Sequence, residues 1–163
     1  MSEKEQCKKI SQNTLIRAGA GLLILGMIGV GVYWTEVKGT AGMIPKGRPL
    51  EYAMLSEDQI PQSIAKDVIP EYRELERALS CKADGNIYVV VTRGEKPTAG
   101  YDVTISRMNL QETKEGTNLI VTAAFTDPPE GEAVSQVITY PYVVAFTELT
   151  SLPDTIELRT VFQ

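Results

Sequence analysis

Residues 87–106 read IYVVVTRGEKPTAGYDVTIS, and this stretch carries the strongest structural signal of the chain. The run from Ile87 to Thr92 is rich in β-branched residues and lacks polar alternation, which indicates a strand buried on both faces. From Tyr101 onward apolar and polar residues alternate, which indicates a second strand with one buried face. Just before this stretch, Asp84-Gly85-Asn86 indicates a turn. The sequence therefore predicts a domain built around a β-sheet.

Working outward, the same patterns predict further strands at residues 50–55, 119–125, 134–146 and 156–162, with a bend or break at Tyr140-Pro141. Two short helices are predicted between the first two strands. The first has apolar residues four apart, and the second starts at Pro70 and carries one apolar stripe; these residues are Ile60, Ile64, Val68 and Tyr72, Leu75, Ala78, Leu79. Because most connections are short, antiparallel pairing is favoured. The predicted fold class is α+β: residues 50–163 form a predominantly antiparallel β-sheet domain with one or two short helices.

The N-terminal segment gives a second strong signal. Residues 18–34 read AGAGLLILGMIGVGVYW without a charge, and with Leu15 and Ile16 the run is about 30 Å long as a helix, enough to span a hydrocarbon core. Tyr33 and Trp34 end the run, as interfacial aromatic residues do. We therefore predict a single transmembrane helix at residues 15–34.

This interpretation divides the rest of the chain. Residues 1–14 become a cytoplasmic tail, residues 35–49 a flexible stalk with three glycines and two prolines, and residues 50–163 an extracytoplasmic domain. Since Cys7 and Cys81 would lie on opposite sides of the membrane, we expect them not to pair. The alternative is a signal peptide that is cleaved, which would make the protein secreted.

Composition restricts the chemistry. The chain has no histidine and two cysteines, which removes histidine-based catalytic and metal sites. Residues 35–163 carry 12 lysines and arginines against 19 acidic residues, a net charge of −7 that disfavours nucleic acid as a partner.

Ser63 and Lys66 match an S-x-x-K motif, but its companion motifs are missing. Glu130 and Glu132 indicate a solvated loop rather than a calcium site. We expect no enzyme activity, no metal and no cofactor.

The connection from Arg93 to Tyr101 is the most distinctive stretch of the chain. Pro97 fixes one φ angle, and Gly94 and Gly100 permit positive φ, so this loop can hold one shape without a ligand. Two interpretations stay open: a structural connection, or a preorganised loop that binds a protein with little loss of entropy.

Two sequence elements resemble the PrcB family, specifically the C-terminal domain of protease complex subunit PrcB proteins. They are GEKPTAGYDVTI at residues 94–105 and VSQVITYPYVVAF at residues 134–146, within a core motif region of 87–149. The resemblance implies a non-catalytic accessory subunit of the bacterial cell envelope that associates with a subtilisin-like surface protease. In this chain the predicted transmembrane helix takes the place of a lipoprotein cysteine. The candidate protein-binding residues are Arg93, Gly94, Pro97, Thr98, Gly100, Tyr101, Tyr140, Pro141 and Tyr142.

Two alternative functions accompany this interpretation. The stretch KPTAGY at residues 96–101 is similar to the N-P-T-T-G-Y loop of chagasin-like protease inhibitors, although Lys96 stands where asparagine is expected. The other alternative is a structural protein of the cell envelope that associates with the cell wall.

Overall fold

The computed structural model describes residues 7–8, 11–13, 47–131 and 133–163. Ten strands occur in this part of the chain: β1 (Cys7–Lys8), β2 (Ser11–Asn13), β3 (Arg48–Pro49), β4 (Tyr52–Met54), β5 (Glu76–Ala83), β6 (Asn86–Arg93), β7 (Asp102–Thr113), β8 (Gly116–Thr126), β9 (Tyr142–Thr147) and β10 (Thr155–Phe162). Between β4 and β5 lie a 3₁₀ turn (Glu57–Gln59), a π-helical turn (Ile64–Val68) and the short helix α1 (Ile69–Tyr72). The predicted predominance of antiparallel β-sheet with short helical segments is confirmed for the described residues, but the strands form two sheets instead of the one predicted.

The strands form two five-stranded sheets. Sheet A has the order β1-β5-β6-β9-β4, and sheet B has the order β2-β10-β8-β7-β3. β5 with β6 and β7 with β8 are antiparallel hairpins. At the first hairpin Asp84 and Gly85 have φ values of +49° and +80°, as in a type I′ turn, so the predicted turn is confirmed. Antiparallel pairing predominates as expected. β10 runs parallel to β8, because the chain crosses to sheet A to form β9 before it returns to sheet B.

The main core consists of side chains from both sheets, including Val89 and Val91 of β6 and Phe125 of β8. A second cluster contains Tyr88 and Val90 of β6 with residues of the π-helical turn and α1. Successive residues of a strand point to opposite faces, so β6 is buried on both faces, as its apolar run predicts. The helical segment covers the outer face of sheet A.

The second predicted helix is wrong beyond its first turn. α1 ends at Tyr72, and residues 76–83 form β5, which pairs with β6 along its whole length. The apolar stripe of the prediction ended at Ala78 and Leu79, which are buried in the sheet, while Leu75 is exposed. The charged pairs that favour a helix here, Arg73 with Glu76 and Glu74 with Arg77, would contribute only about 0.2–0.5 kcal/mol each. The pairing of β5 with β6 along its whole length, together with the burial of Ala78 and Leu79, outweighs them.

The predicted strand at residues 134–146 is only partly present. Regular pairing begins at Tyr142, and the residues before it are extended but irregular, with one isolated bridge between Thr139 and Lys96. The predicted break at Tyr140-Pro141 is therefore confirmed. Proline lacks the N–H that a central strand would need at this position.

Near the N-terminus the structure describes only β1 and β2. β1 pairs with β5 and β2 with β10, and the β1 register places Cys7 opposite Cys81. Cys81 is disulfide-bonded, so the expectation that this cysteine does not pair is wrong. The predicted transmembrane helix at residues 15–34 lies outside the described residues. Among the residues described, none of the helices has the length and apolar character to cross a bilayer.

Candidate protein-binding groove

The two sequence elements lie side by side at one end of the two sheets. Residues 94–101 connect β6 of sheet A to β7 of sheet B, and residues 127–141 connect β8 of sheet B back to β9 of sheet A. Both connections therefore pass between the sheets. They meet at an antiparallel bridge in which the backbone N of Lys96 and of Thr139 each lies 2.9 Å from the other residue's carbonyl oxygen.

Further hydrogen bonds fix the two connections against each other. The Thr139 Oγ1 hydroxyl donates to the Thr98 carbonyl oxygen at 2.8 Å, and the Ala99 N–H donates to the Ser135 carbonyl oxygen at 3.0 Å. At the base of the loop the Arg93 N–H donates to the Pro141 carbonyl oxygen at 2.9 Å. Four of the five bonds are between backbone groups, so the shape of this region depends little on exposed side chains.

The buried side chain of Arg93 stabilises the base of the loop. Its side chain is 2% exposed, and the guanidinium donates to the carbonyl oxygens of Asp102 and Thr126 and to the Asp127 carboxylate. The guanidinium carbon also lies 4.8 Å from the centre of the Phe125 ring. These contacts join the ends of β7 and β8 to the end of β6. Arg93 is thus a structural residue rather than a contact residue for a partner.

An open groove of about 300 Å³ lies where the two connections meet. It is lined by residues from the loop, from the start of β7, from the segment before β9 and from the 3₁₀ turn: Ala99, Gly100, Tyr101, Asp102, Thr139, Tyr140, Pro141, Tyr142 and Glu57. Three tyrosines and a proline give it an aromatic, amphipathic lining. Such surfaces are common in protein interfaces because tyrosine combines apolar area with a hydrogen-bonding group.

Tyr140 is held by two exposed charged residues. Its hydroxyl donates to the Glu95 carboxylate Oε2 at 2.9 Å, and the Arg73 guanidinium carbon lies 4.4 Å from the ring centre. The hydrogen bond to Glu95, followed by desolvation and the negative charges of Glu95 and Glu74, raises the pKa of Tyr140. The phenol is therefore neutral at physiological pH and acts as a hydrogen-bond donor.

The other two tyrosines have different surroundings. Tyr101 lies below two cations, with the Arg93 guanidinium carbon 5.1 Å and the Lys96 Nζ 5.9 Å from the ring centre. Tyr142 is half-buried and packs against the cluster on the outer face of sheet A. Burial, and after it the negative charge of Glu57, raises the pKa of Tyr142.

The structure brings most of the predicted binding residues together but gives them different roles. Gly100, Tyr101, Tyr140, Pro141 and Tyr142 line the groove. The remaining four do not line it: Arg93 and Gly94 are buried, Thr98 is half-buried, and Pro97 is exposed at the loop surface.

Four residues that line the groove were not among the predicted binding residues: Glu57, Ala99, Asp102 and Thr139. Asp102 adjoins the recognised motif, so its position next to Tyr101 was a usable signal. Glu57 reaches the groove from a 3₁₀ turn more than 35 residues before the motif, and no local pattern connects the two.

The weaker chemical motifs have ordinary structural contacts. Lys66 donates to the Gln62 Oε1 at 3.1 Å, and Ser63 is half-buried at the start of the π-helical turn. In the described part of the chain, acidic residues and cysteines form no group suited to a metal ion. Glu132, one of the two candidate calcium ligands, lies outside the described residues.

Comparison with known proteins confirms the family resemblance. Residues 87–148 match the family model of the PrcB C-terminal domain. The matched segment runs from β6 to just past β9, so it contains both sequence elements and every groove residue except Glu57. No curated protein and no solved structure matches the chain.

Proposed function

We propose, from the premise that residues 87–148 form a PrcB C-terminal domain, that the chain is a non-catalytic accessory subunit of a protease complex in the bacterial cell envelope. The family match suggests association with a protease complex in general. A subtilisin-like surface protease is the specific partner that we propose. The groove between residues 94–101 and 133–142 is the proposed docking site.

One observation carries the proposal: the two sequence elements of the family meet in a single groove. They are about 40 residues apart in the chain, and five hydrogen bonds hold the connections that contain them in one arrangement. A preorganised surface loses little conformational entropy when a partner binds. Its three tyrosines supply the aromatic side chains that dominate many protein interfaces.

The geometry favours docking over the insertion of a loop into a protease cleft. In the stretch 96–101 only Pro97 and Gly100 are exposed, while Thr98 and Tyr101 are half-buried. The Thr98 carbonyl oxygen already accepts a hydrogen bond from Thr139. A chagasin-like inhibitor would need this loop to project, so inhibition is the second candidate.

The test is a crosslinked pull-down of the full-length protein from intact cells, with partners identified by mass spectrometry. We expect the wild-type protein to enrich a protease that stays active, and Tyr140→Ala to lose it. Removal of an aromatic residue at the centre of an interface costs about 2 kcal/mol, which corresponds to about 30-fold in affinity. An inhibitor would instead lower peptidase turnover, and a structural envelope protein would enrich no protease.

The matched control is Phe162→Ala, which removes an exposed aromatic side chain that does not line the groove. Tyr140 contacts exposed residues, so its removal leaves the core intact; near-UV circular dichroism checks the folding of both variants. Equal loss of the partner in both variants would contradict a specific role for the groove.

The extracytoplasmic location is also a proposal, supported by the disulfide of Cys81, because disulfides persist in oxidising compartments. The transmembrane helix at residues 15–34 stays a prediction. It places Cys7 in the cytoplasm, whereas the β1 register places Cys7 beside the domain.

Thiol labelling of intact cells distinguishes these two arrangements. With a membrane-spanning segment between the cysteines, the Cys81→Ser variant reacts with an impermeant maleimide only after permeabilisation, while Cys7→Ser reacts at once. With the cysteines paired on one side, we expect neither cysteine of the wild-type protein to react until a reductant is added. Labelling of the wild-type protein without reductant would contradict the pairing.

A further inference from the structure

The groove has an acidic lining. Its charged lining residues are Glu57 and Asp102, both exposed, and no lysine or arginine lines it. Within the described residues neither carboxylate takes part in an ion pair, in contrast to Asp127 with Arg93 and Glu157 with Arg159. The groove therefore offers two carboxylates for which the described residues supply no ion-pair partner.

The three tyrosines show which part of the groove can receive a cation. Tyr140 already contacts the Arg73 guanidinium, and Tyr101 contacts Arg93 and Lys96. Tyrosine faces in this region are thus cation-binding surfaces within the protein itself. For Tyr142 the described residues supply no such cation, and Glu57 lines the same groove.

We propose that the groove binds the side chain of an arginine from an exposed segment of the protein partner, with its guanidinium at Tyr142 and paired with Glu57 and Asp102. This inference rests on the proposed docking function and names the chemistry of the partner. The planar guanidinium stacks on an aromatic ring and pairs with carboxylates at the same time, which a lysine ammonium does less well.

The size of the groove fits this occupant. A volume of about 300 Å³ is at the lower end of the range for ligand sites, and the groove is open to solvent rather than enclosed. It is suited to one long side chain of a larger partner, whose backbone remains outside. Arginine is enriched among the few residues that dominate interface energetics, in agreement with a single anchoring side chain.

The test uses saturation-transfer NMR on the full-length protein in a non-denaturing detergent. The probes are Nα-acetyl-arginine N-methylamide and its citrulline analogue, which has nearly the same shape without the charge. We expect millimolar binding of the arginine probe and a citrulline signal weaker by at least about fivefold, because stacking and ion pairing both need the cation. Equal signals from both probes, or none from either, would overturn the proposal without reference to any variant.

Two double variants locate the binding site. Glu57→Gln with Asp102→Asn removes the two groove carboxylates, and Glu112→Gln with Glu115→Gln removes two exposed acidic residues at the opposite end of β7, with the same change in net charge. We expect the first to lose the arginine signal and the second to keep it. Equal loss in both would overturn the proposal, because it would reflect the overall charge of the domain.

Pull-downs with the same variants separate this inference from the proposed function. If Tyr140→Ala loses the partner while Glu57→Gln with Asp102→Asn keeps it, docking at the groove stands and the arginine anchor is overturned. If the carboxylate variant also loses the partner, both are supported. If Tyr140→Ala keeps the partner, the proposed docking site itself fails, whatever the probes show.

Discussion

Replacement of Arg93 by methionine is expected to lower the free energy of unfolding by about 3–5 kcal/mol. Arg93 is among the largest fully buried side chains of the described chain, and its guanidinium donates to two carbonyl oxygens and one carboxylate. Methionine fills much of the same volume but supplies no donor. The carbonyl groups of Asp102 and Thr126 would lose their charged donor, and hydrogen bonds to charged groups contribute about 1.5–3 kcal/mol each.

Urea denaturation of the full-length protein, followed by circular dichroism, measures this effect. The control is Asp127→Asn, whose side chain is 55% exposed. This variant keeps both carbonyl contacts of Arg93, and the asparagine side-chain oxygen can still accept from the guanidinium, so we expect a smaller loss than for Arg93→Met. A free energy of unfolding for Arg93→Met within about 1 kcal/mol of the wild-type value would mean that Arg93 is not the residue that joins the strand ends.

The second large effect is expected for Gly100→Ala, at the groove itself. Gly100 has a φ of +92°, a conformation that residues with a Cβ rarely adopt. A Cβ here would lie 2.9 Å from the Cβ of Pro128 and 3.4 Å from the Cγ1 of Val134. Backbone strain of about 1–2 kcal/mol and overpacking of about 1–3 kcal/mol add to a predicted loss of about 2–5 kcal/mol.

Gly131→Ala isolates the backbone contribution to this loss. Gly131 has a φ of +81°, and a Cβ at this residue would meet no atom within 4 Å. It should therefore lose only about 1–2 kcal/mol. The same denaturation experiment compares the two variants. Equal losses would mean that Pro128 and Val134 do not press against the loop at Gly100, and that the connection is looser than the structure shows.

The parts of the fold that the sequence predicted are those with a local cause. The β-branched run of β6 and the Asp84-Gly85 turn follow from residue type and spacing, and the structure has both. The helix predicted from Pro70 was extended to Leu79 because its apolar stripe fits a period of 3.6, whereas residues 76–79 belong to β5. Only the pairing of β5 with β6, which is set by the whole sheet, decides between them.

The candidate site divides in the same way. Gly100, Tyr101 and Tyr142 were found because they belong to two recognisable sequence elements. Arg93 was taken for a binding residue because it adjoins the loop, but its burial depends on carbonyl groups of β7 and β8 that are far away in the sequence. Glu57 was missed for the same reason, since only tertiary packing brings its 3₁₀ turn to the groove.

We propose that a protease-complex partner docks at this groove. The pull-down of full-length protein tests it most directly, with wild type, Tyr140→Ala and Phe162→Ala crosslinked in parallel and quantified by mass spectrometry. We expect the wild-type protein and Phe162→Ala to enrich one protease. The amount of this protease captured by folded Tyr140→Ala should be lower by about 30-fold. The same protease captured equally by all three proteins would contradict it.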